Sequence, residues 1–459
     1  MVIKSKKSYL CSACGALLSK WAGQCPQCHD WNCVEEAAPA QVAEALREVG
    51  FSGTVAQVKR MAEVEVDQFP RIATGLSELD RVLGGGLVPG SVVLIGGDPG
   101  VGKSTALLQV CCGLKGVKAM YVSGEESLPQ IAMRARRLGL PDGDLLLLAE
   151  TQVEAICAVA IQEKPAVMVI DSIQTMGVAG VESAPGSVSQ VRESAAYLTR
   201  FAKSSGVAIF LVGHVTKSGG LAGPRVLEHI IDVVCYFEGG NDSRFRMMRA
   251  IKNRYGAVNE LGVFAMTETG LKEIKNPSAI FLSRSKEAMA GSAVMVVWEG
   301  SRPLLVEIQA LIDTCYSEHP RRLAVGLDQN RLTMLLAVLH RHGGVSTFDK
   351  DVFVNVVGGV KVEETGADLA LVLAILSSLK DQPLANDLVI FGELGLAGEI
   401  RPVPNGQERL REAAKHGFRQ AIVPLANAPK AGIVGMTIHG VQRLSEALQV
   451  AARITPSAG

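Results

Sequence analysis

The chain lacks a net charge, because its 46 Lys and Arg residues balance 46 Asp and Glu residues. Without excess charge, the chain as a whole does not attract nucleic acid, so contact with a polyanion must come from local patches. The most basic stretches are residues 134–137, 244–254 and 401–419. Each is an ordinary solvated surface unless a second observation assigns it a ligand.

The chain also lacks long apolar runs. LALVLAIL at 369–376 falls far short of the roughly 18 residues that a membrane-spanning helix needs. The basic start MVIKSKKSYLC has no apolar segment behind it, which argues against a secretory signal peptide. We therefore expect a cytoplasmic protein with no membrane partner, whose ten cysteines are reduced or bound to metal.

What the chain does contain is an alternation of strand-like and helical segments. From Arg71 to about residue 275, apolar runs such as VVLIGG, AMYVSGE, AVMVIDS, VAIFLVGH and DVVCYFEG alternate with helical stretches. This repetition predicts an α/β fold with a mainly parallel sheet covered by helices. The domains we predict are a cysteine-rich head at 1–34, a linker at 35–68, the α/β domain at 69–275 and an α+β domain at 276–459.

Four cysteines of the head form two C-x2-C pairs. Each pair places two thiolates on a tight turn, and two such turns complete a tetrahedral site for structural zinc. The predicted ligands are Cys11, Cys14, Cys25 and Cys28, and Cys33 falls outside the paired pattern. Trp21 and Trp31 are expected to support the small core, with stacking on a nucleic-acid base as the alternative.

The stretch GGDPGVGKST contains G-x-x-x-x-G-K-S between the strand VVLIGG and a helical segment, the context that a phosphate-binding loop requires. Glycines let backbone N–H groups approach the phosphates, Lys103 reaches the β- and γ-oxygens, and Ser104 ligates Mg²⁺. The motif therefore predicts binding of a nucleoside triphosphate. The residues predicted to bind it are Gly97, Asp98, Pro99, Gly100, Val101, Gly102, Lys103, Ser104 and Thr105.

Two further strands end in carboxylates. Asp171 closes AVMVID and either holds Mg²⁺ at the carboxyl end of the sheet or merely caps the next turn. Glu125 and Glu126 follow YVSG, where a carboxylate can accept the proton of an attacking water. Spacing alone does not decide which of the two glutamates does so.

The stretch RAIKNRYGAVNE, residues 249–260, carries two cations in close succession. In a β-strand, residues i and i+2 share a face, so Lys252 and Arg254 would point together. Two cations directed at one place predict a binding site for an anion. A basic strand that binds the DNA backbone, or is simply solvated, is the alternative.

Together these motifs resemble the bacterial RadA (Sms) family of DNA repair and recombination proteins. The resemblance rests on TGLSELDRVLGGGLVPGSVVLIGGDPGVGKST, YVSGEES, IDSIQT, KNRYG and the cysteine head, and it spans essentially the whole chain. The family's usual KNRFG has Tyr255 here in place of phenylalanine. The resemblance implies a RecA-like ATPase using ATP, Mg²⁺ and zinc. It further implies a homo-hexameric, DnaB-like helicase that tracks single-stranded and branched DNA, with a RecA-type recombinase as a partner.

The resemblance also implies roles for individual residues. Glu125 takes the general-base position, and His214 falls where related ATPases sense the γ-phosphate, although a histidine at a strand end is otherwise structural. Lys252 and Arg254 match a pair that reaches the γ-phosphate bound by the neighbouring subunit.

Two glycine-rich loops match the DNA-facing loops of RecA-like proteins. They are MGVAGVESAPGSVSQ and VTKSGGLAGPR, and both have the Gly, Ser and Pro content of mobile loops. The resemblance makes Lys217 and Arg225 the expected phosphate contacts.

The last domain contains KVEETGADLALVLAILSSL and GEIRPVPNGQERLREAAKHGFRQAIVP, which resemble the proteolytic domain of Lon. Lon uses a serine activated by a lysine. Here the serine position falls at Gly366 or Ala367 and the lysine position at Gln407, so we expect no protease chemistry. Ser377 and Ser378 lie about three helical turns further on, too far to substitute. We expect a scaffold for ring assembly that presents the basic side chains Arg401, Arg409 and Arg411 to DNA.

Two other functions stay open. One is a RecA-type mediator that binds DNA and hydrolyses ATP without moving along it. The other is a KaiC-like ATPase that acts on protein partners, which DNA-independent ATPase activity would favour.

Overall fold

The fold is described by a computed structural model. It covers residues 8–12, 16–18, 20–27, 29–37, 70–141, 143–214, 227–239, 245–274, 276–282, 288–317 and 319–454. The chain divides into two compact units, Met1–Ile274 and Lys275–Gly459. Within the described ranges, no helix combines the length and the apolar character needed to cross a membrane.

The first unit begins with a small antiparallel sheet in the order β2-β1-β3. Its strands are β1 (Ser8–Cys11), β2 (Leu17–Leu18) and β3 (Val34–Ala37). Cys11, Cys25, Cys33 and Val34 form its buried core. The third strand runs to Ala37, beyond the boundary that the sequence predicts at residue 34.

The rest of the first unit surrounds a nine-stranded sheet in the order β12-β11-β10-β9-β4-β8-β7-β5-β6. The strands are β4 (Val92–Gly97), β5 (Ala119–Ser123), β6 (Leu146–Ala149), β7 (Val167–Asp171), β8 (Ala208–Val212), β9 (Val233–Glu238), β10 (Phe245–Asn253), β11 (Leu261–Thr267) and β12 (Gly270–Glu273). The helices are α1 (Ser77–Val82), α2 (Lys103–Gly113), α3 (Leu128–Arg137), α4 (Val153–Glu163) and α5 (Val188–Ser205).

The six strands from β9 to β6 in this order are parallel, and β10, β11 and β12 extend the sheet by antiparallel pairing. Every residue of β4, β5, β7 and β8 is buried. Continuous apolar strands of this kind occur where helices cover both faces of a parallel sheet. The predicted α/β fold with a mainly parallel sheet is confirmed.

The second unit contains a mixed seven-stranded sheet, β15-β16-β14-β13-β17-β20-β21, and a two-stranded sheet, β18-β19. The strands are β13 (Ser292–Glu299), β14 (Arg302–Thr314), β15 (Arg322–Val325), β16 (Lys350–Val356), β17 (Leu388–Ile390), β18 (Glu393–Leu394), β19 (Ile400–Arg401), β20 (Gln420–Pro424) and β21 (Thr437–Val441). The helices are α6 (Gln329–Gly343), α7 (Asp368–Lys380), α8 (Gly406–Lys415) and α9 (Leu444–Arg453). Helix α7 is buried from Asp368 to Ser377, as expected for a helix that is apolar on all sides.

Candidate functional site

The phosphate-binding motif lies at the carboxyl edge of the large sheet, between β4 and α2. Gly100 and Gly102 have φ angles of 79° and 111°, a region that glycine enters without steric cost. A Cβ atom on Gly102 would lie 2.5 Å from Met266 Cε, the flexible end of a side chain, so the backbone angle is the main reason for glycine there. The Lys103 ammonium donates to Gly97 O at 2.8 Å and Asp98 O at 2.9 Å.

Lys103 is 4% exposed. Burial lowers its pKa, and the negative charges of Asp171, Asp98 and Glu125 oppose that shift without cancelling it. Three acids therefore surround one buried lysine whose hydrogen bonds go to neutral carbonyls. A phosphate could replace those carbonyls as a stronger, charged acceptor.

Asp171 ends β7 at the same edge and accepts a hydrogen bond from the Tyr121 hydroxyl on β5. Burial, and then the negative charge of Asp171, raise the pKa of Tyr121 well above its usual value. Tyr121 thus stays protonated and fixes the orientation of the carboxylate. Asp171 is followed by a cis peptide bond to Ser172.

The structure separates the two neighbouring glutamates. Glu125 Oε1 accepts a hydrogen bond from Ser172 Oγ at 2.5 Å and lies 3.6 Å from His214 Nε2. Glu126 instead pairs with Arg134 on α3 through two contacts, at 2.7 and 3.1 Å. The charge of Glu125 also acts to raise the pKa of Lys103 in the phosphate loop, whereas Glu126 is held by an arginine.

His214 lies two residues beyond the end of β8. Its carbonyl oxygen accepts a hydrogen bond from Gln174 Nε2 at 3.3 Å. Among the described residues, neither His214 Nδ1 nor Gln174 Oε1 has a hydrogen-bond partner, although both atoms are buried.

A second charged group lies at the opposite, amino edge of the sheet. Asp232 directly precedes β9 and is 1% exposed. Its Oδ2 accepts from Lys203 Nζ at 2.6 Å and from Val92 N at 3.0 Å, and its Oδ1 accepts from Arg254 at 3.1 Å. Burial alone would lower the pKa of Lys203, but hydrogen bonds to Asp232 and Tyr255 raise it overall.

Lys252 and Arg254 do not extend as two residues of one regular strand. The pairing of β10 with β9 shifts between Ala250 and Lys252, and β10 ends at Asn253. Both side chains nevertheless turn onto the same segment, 228–232. Lys252 Nζ donates to Glu228 O and to Ile231 O, the latter at 2.8 Å. Arg254 keeps 53% of its side chain exposed despite its contact with Asp232.

The two edges are well separated. Val92 N contacts Asp232 at the start of β4, and Gly97 O contacts Lys103 at its end. Five residue steps of ~3.3 Å place these contacts about 17 Å apart. Neither Lys252 nor Arg254 can reach a phosphate held by Lys103 of the same chain.

The loop that follows Arg254 is anchored by a close contact between two glycines. A Cβ atom on Gly256 would lie 2.7 Å from Gly84 Cα, and one on Gly84 would lie 2.9 Å from Gly256 Cα. Arg71 also donates to Tyr255 O at 2.8 Å, and the Tyr255 hydroxyl accepts from Lys203 at 3.1 Å. Tyr255 thus packs beside Lys203 and holds the loop after β10 in place.

In the cysteine head, Cys11 and Cys25 are buried in one cluster, as two thiolate ligands of one zinc would be. Cys14 and Cys28 lie outside the described residues. Cys33 joins the cluster, with its Sγ 3.3 Å from Cys11 Sγ. The expectation that Trp21 and Trp31 support the small core is wrong, since they are 60% and 71% exposed.

The predicted DNA-binding residues Lys217 and Arg225 lie outside the described residues, in the second glycine-rich loop. The first loop is described. Met176 and Val178 are buried, and Gln190 Oε1 accepts from Val178 N at 3.3 Å. The start of this loop is therefore packed against the core.

In the second unit, Gly366 and Ala367 lie buried in a short 3₁₀ turn before α7, and Gln407 lies exposed on α8. The expectation that Arg409 faces DNA is wrong, because it is 1% exposed and pairs with both carboxylate oxygens of Glu364 at 2.7 Å. Arg401 and Arg411 are 57% and 60% exposed, in contact with Glu399 and Glu408 respectively.

Sequence reasoning missed several polar residues around the two edges. They are Tyr121, Ser172, Gln174, Lys203 and Asp232. For Asp232, a signal was present, since an acid stands directly before the apolar run VVCYF. The tertiary contacts that give it a role were not visible in the sequence.

Three family models match parts of the chain. One described as an AAA domain matches residues 57–220, and one described as a rubredoxin metal binding domain matches residues 9–36. A third, described as subunit ChlI of Mg-chelatase, matches residues 306–427.

Several similar proteins carry the name DNA repair protein RadA. The one from Pseudomonas aeruginosa is 62% identical over 446 residues, covering 97% of this chain and 98% of its own. The one from Escherichia coli is 63% identical over 451 residues with the same coverage, and that from Bacillus subtilis is 46% identical over 456 residues. A crystal structure of the RadB recombinase is similar at 20% identity and a TM-score of 0.37, over 44% of this chain and 100% of that one.

Proposed function

The chain belongs to the RadA family of DNA repair proteins, and from that premise we propose that it is an ATP-driven motor that moves along single-stranded DNA. It acts on branched recombination intermediates as a homo-hexameric ring, with a RecA-type recombinase as a partner. Membership of this family and the AAA domain match support an ATPase of DNA repair.

The observation that carries the proposal is the position of the cation pair. Lys252 and Arg254 contact the segment 228–232 at the amino edge, and the length of β4, about 17 Å, separates this edge from the phosphate loop of their own chain. The half-exposed Arg254 guanidinium can serve a nucleotide only if that nucleotide belongs to another copy. A guanidinium supplied by a neighbour stabilises charge on the transferring phosphoryl group, and hydrolysis then depends on assembly.

At the carboxyl edge, Lys103 exchanges its two carbonyl partners for phosphate oxygens of ATP. Ser104 and Asp171 supply the oxygen ligands that Mg²⁺ prefers. If bound there, Mg²⁺ would neutralise part of the phosphate charge. Glu125 accepts the proton of the attacking water while Ser172 and His214 hold its Oε1. His214 and Gln174 are the candidates to sense the γ-phosphate.

At the amino edge, Asp232 positions Arg254. Its Oδ2 is held by Lys203 and the backbone of Val92, which leaves Oδ1 to orient Arg254. Arg254 can move from Asp232 to a neighbour's phosphate without leaving a buried carboxylate unpaired, because Lys203 still contacts Asp232. This arrangement fits a cation that moves during a catalytic cycle.

DNA binding is proposed for the two glycine-rich loops, with Lys217 and Arg225 as phosphate contacts. Alanine at either residue should weaken single-strand binding and reduce its dependence on salt. Unchanged affinity of both variants across a salt titration would rule this assignment out. The exposure of Trp21 and Trp31 supports stacking on a base over a role in the core of the head.

The second unit is proposed as the scaffold of the ring, with the exposed Arg401 and Arg411 available to DNA. Its matches to the Lon catalytic pair are Gly366 or Ala367 and Gln407, which carry neither a nucleophile nor a base.

The decisive experiment measures the ATPase rate with and without single-stranded DNA, together with the mass of the assembly. Strong stimulation on a hexamer, with displacement of a paired strand, supports the motor. Stimulation without strand displacement favours a recombination mediator. A rate indifferent to DNA favours an ATPase that acts on protein partners.

A further inference from the structure

An arginine from outside the phosphate-binding motif contacts the phosphate loop. Arg246 lies on β10, is 6% exposed, and donates from its Nε to Val101 O at 3.0 Å, across 145 positions of sequence. Its Nη1 donates to Phe245 O at 3.0 Å. A guanidinium stays protonated in proteins, so both groups remain donors. A residue of β10 therefore holds a carbonyl oxygen of the loop that the motif assigns to phosphate.

A glycine leaves room for this side chain. Gly239 directly follows β9, and a Cβ atom there would lie 2.6 Å from Arg246 Cδ and 3.2 Å from Arg246 Nε. Those two atoms are the part of the side chain that approaches Val101 O. A side chain at position 239 would therefore push the arginine away from the loop.

The bond to Val101 O also fixes the direction of the next backbone N–H. The peptide bond between Val101 and Gly102 is trans. In a trans peptide, the carbonyl and the N–H of the following residue point in opposite directions. A donor that holds Val101 O consequently holds the orientation of Gly102 N–H. Backbone N–H groups are the part of this motif that binds phosphate.

We propose that Arg246 is a positioning residue of the phosphate loop, which orients the Val101–Gly102 peptide so that Gly102 N–H binds a phosphate of the nucleotide. This role rests on nucleotide binding, which is part of the proposed function, and is independent of movement along DNA. Without the arginine, the peptide is free to rotate and must be ordered again whenever a nucleotide binds, which costs affinity. The N–H meets phosphate before and during hydrolysis alike, so its loss should raise KM and leave kcat nearly unchanged.

The test compares variants of the full-length protein that differ in one donor. Arg246→Met has a carbon atom where arginine has Nε, whereas Arg246→Gln has an amide nitrogen there that can donate to Val101 O. Gly239→Ala keeps the arginine but crowds it, and replaces Arg246→Met if that variant does not fold. Met248→Ala is the control, because Met248 is buried on the same face of β10, two residues further on.

Four quantities are measured for each protein. They are the dissociation constant of a fluorescent ATP analogue, the KM and kcat of ATP hydrolysis, the free energy of unfolding in urea, and the rate of amide hydrogen exchange in the peptide 97–105. The exchange rate reports the order of the loop without any turnover.

Arg246→Met is expected to raise the dissociation constant and KM about tenfold or more, because a charge-assisted bond to phosphate is no longer pre-oriented. Its kcat at saturating ATP should change less than about threefold, and its loop should exchange faster. Gly239→Ala should change in the same direction. Arg246→Gln should recover most of the affinity, and Met248→Ala should keep the native KM even though it lowers stability.

Native affinity in Arg246→Met, or in Gly239→Ala where Arg246→Met does not fold, would overturn the proposal. Equal losses in Arg246→Met and Arg246→Gln would also overturn it, because the donor to Val101 O would then not matter. So would a loss of affinity in Met248→Ala that matches its loss of stability, which would mark a merely structural role. A native protein that binds no ATP would overturn the proposed function as well. A native protein that binds ATP but does not move along DNA would contradict only the motor.

Discussion

Each edge of the nine-stranded sheet carries a lysine whose ammonium group rests on two main-chain carbonyls. Lys103 contacts Gly97 O and Asp98 O, and Lys252 contacts Glu228 O and Ile231 O. Burial lowers the pKa of both, but their charged neighbours differ. Acids surround Lys103, whereas the next largest influence on Lys252 is the positive charge of Arg254, which lowers its pKa further.

This difference separates an edge suited to binding the phosphates of a nucleotide from an edge that presents cations to a nucleotide bound elsewhere. The carboxyl edge combines a buried lysine, nearby carboxylates and a glycine loop, which are the components expected of a phosphate site. The amino edge combines two cations with no phosphate loop of its own. A nucleotide between two copies of the chain would satisfy both edges at once.

Removing the lysine of the carboxyl edge should have the largest effect. Lys103→Ala is expected to abolish detectable ATPase activity and to weaken nucleotide binding strongly, because it removes the buried lysine on which the phosphate-binding motif depends. Titration with a fluorescent ATP analogue measures the binding. Lys115→Ala, at an exposed lysine beyond α2, is the matched control and should bind normally.

Removing the cation of the amino edge should separate binding from hydrolysis. Arg254→Ala is expected to lower the ATPase rate by about 10³-fold while nucleotide affinity is retained. Mixing Arg254→Ala with Lys103→Ala subunits should restore part of the activity, since each supplies what the other lacks. No recovery at any mixing ratio would contradict a role for Arg254 at a neighbour's nucleotide. Arg192→Ala, on the exposed side of α5, is the control.

Within the carboxyl edge, the two glutamates should behave differently. Glu125→Gln is expected to lower the ATPase rate by about 10²-fold or more, as loss of a general base does. Glu126→Gln should leave the rate nearly unchanged and cost at most about 1 kcal/mol of stability, because it removes a partly exposed ion pair with Arg134. Steady-state kinetics of both variants decide the assignment. The reverse order of effects would make Glu126 the base.

Replacing Asp232 tests whether its carboxylate holds the charged residues of the amino edge in place. Asp232→Asn is expected to destabilise the protein by about 3 kcal/mol, because it leaves Lys203 without its buried counter-charge. Urea unfolding measures the loss. Adding Lys203→Met should cost less than the sum of the two single changes, since both remove one interaction. Strict additivity would mean that the pair does not act together.

Tyr255→Phe should have the smallest effect. It removes the hydroxyl that accepts from Lys203 but keeps the ring, so a loss of about 1 kcal/mol in stability is expected. ATPase activity should change less than twofold, because Asp232 still contacts Lys203 and Arg254. A large loss of activity with unchanged stability would give Tyr255 a direct role at the nucleotide.

Local patterns were sufficient for the elements of the carboxyl edge. The strands of the parallel sheet follow from apolar runs, and the phosphate loop from a motif whose residues are contiguous. The amino edge depends on contacts between residues far apart in the chain, such as Asp232 with Val92, which no local pattern encodes. For the same reason Arg409 was misjudged, because its partner, Glu364, lies 45 residues away in the chain and only the fold brings the two together.

The contact between Gly84 and Gly256 constrains how this family member can change over generations. Each glycine occupies the space that the other's side chain would need, so neither can become even alanine while the partner loop stays in place. A lineage that replaced one would have to move the other loop in the same step. The two loops, 172 residues apart in sequence, must therefore change together. The same constraint preserves the position of Arg254, two residues before Gly256.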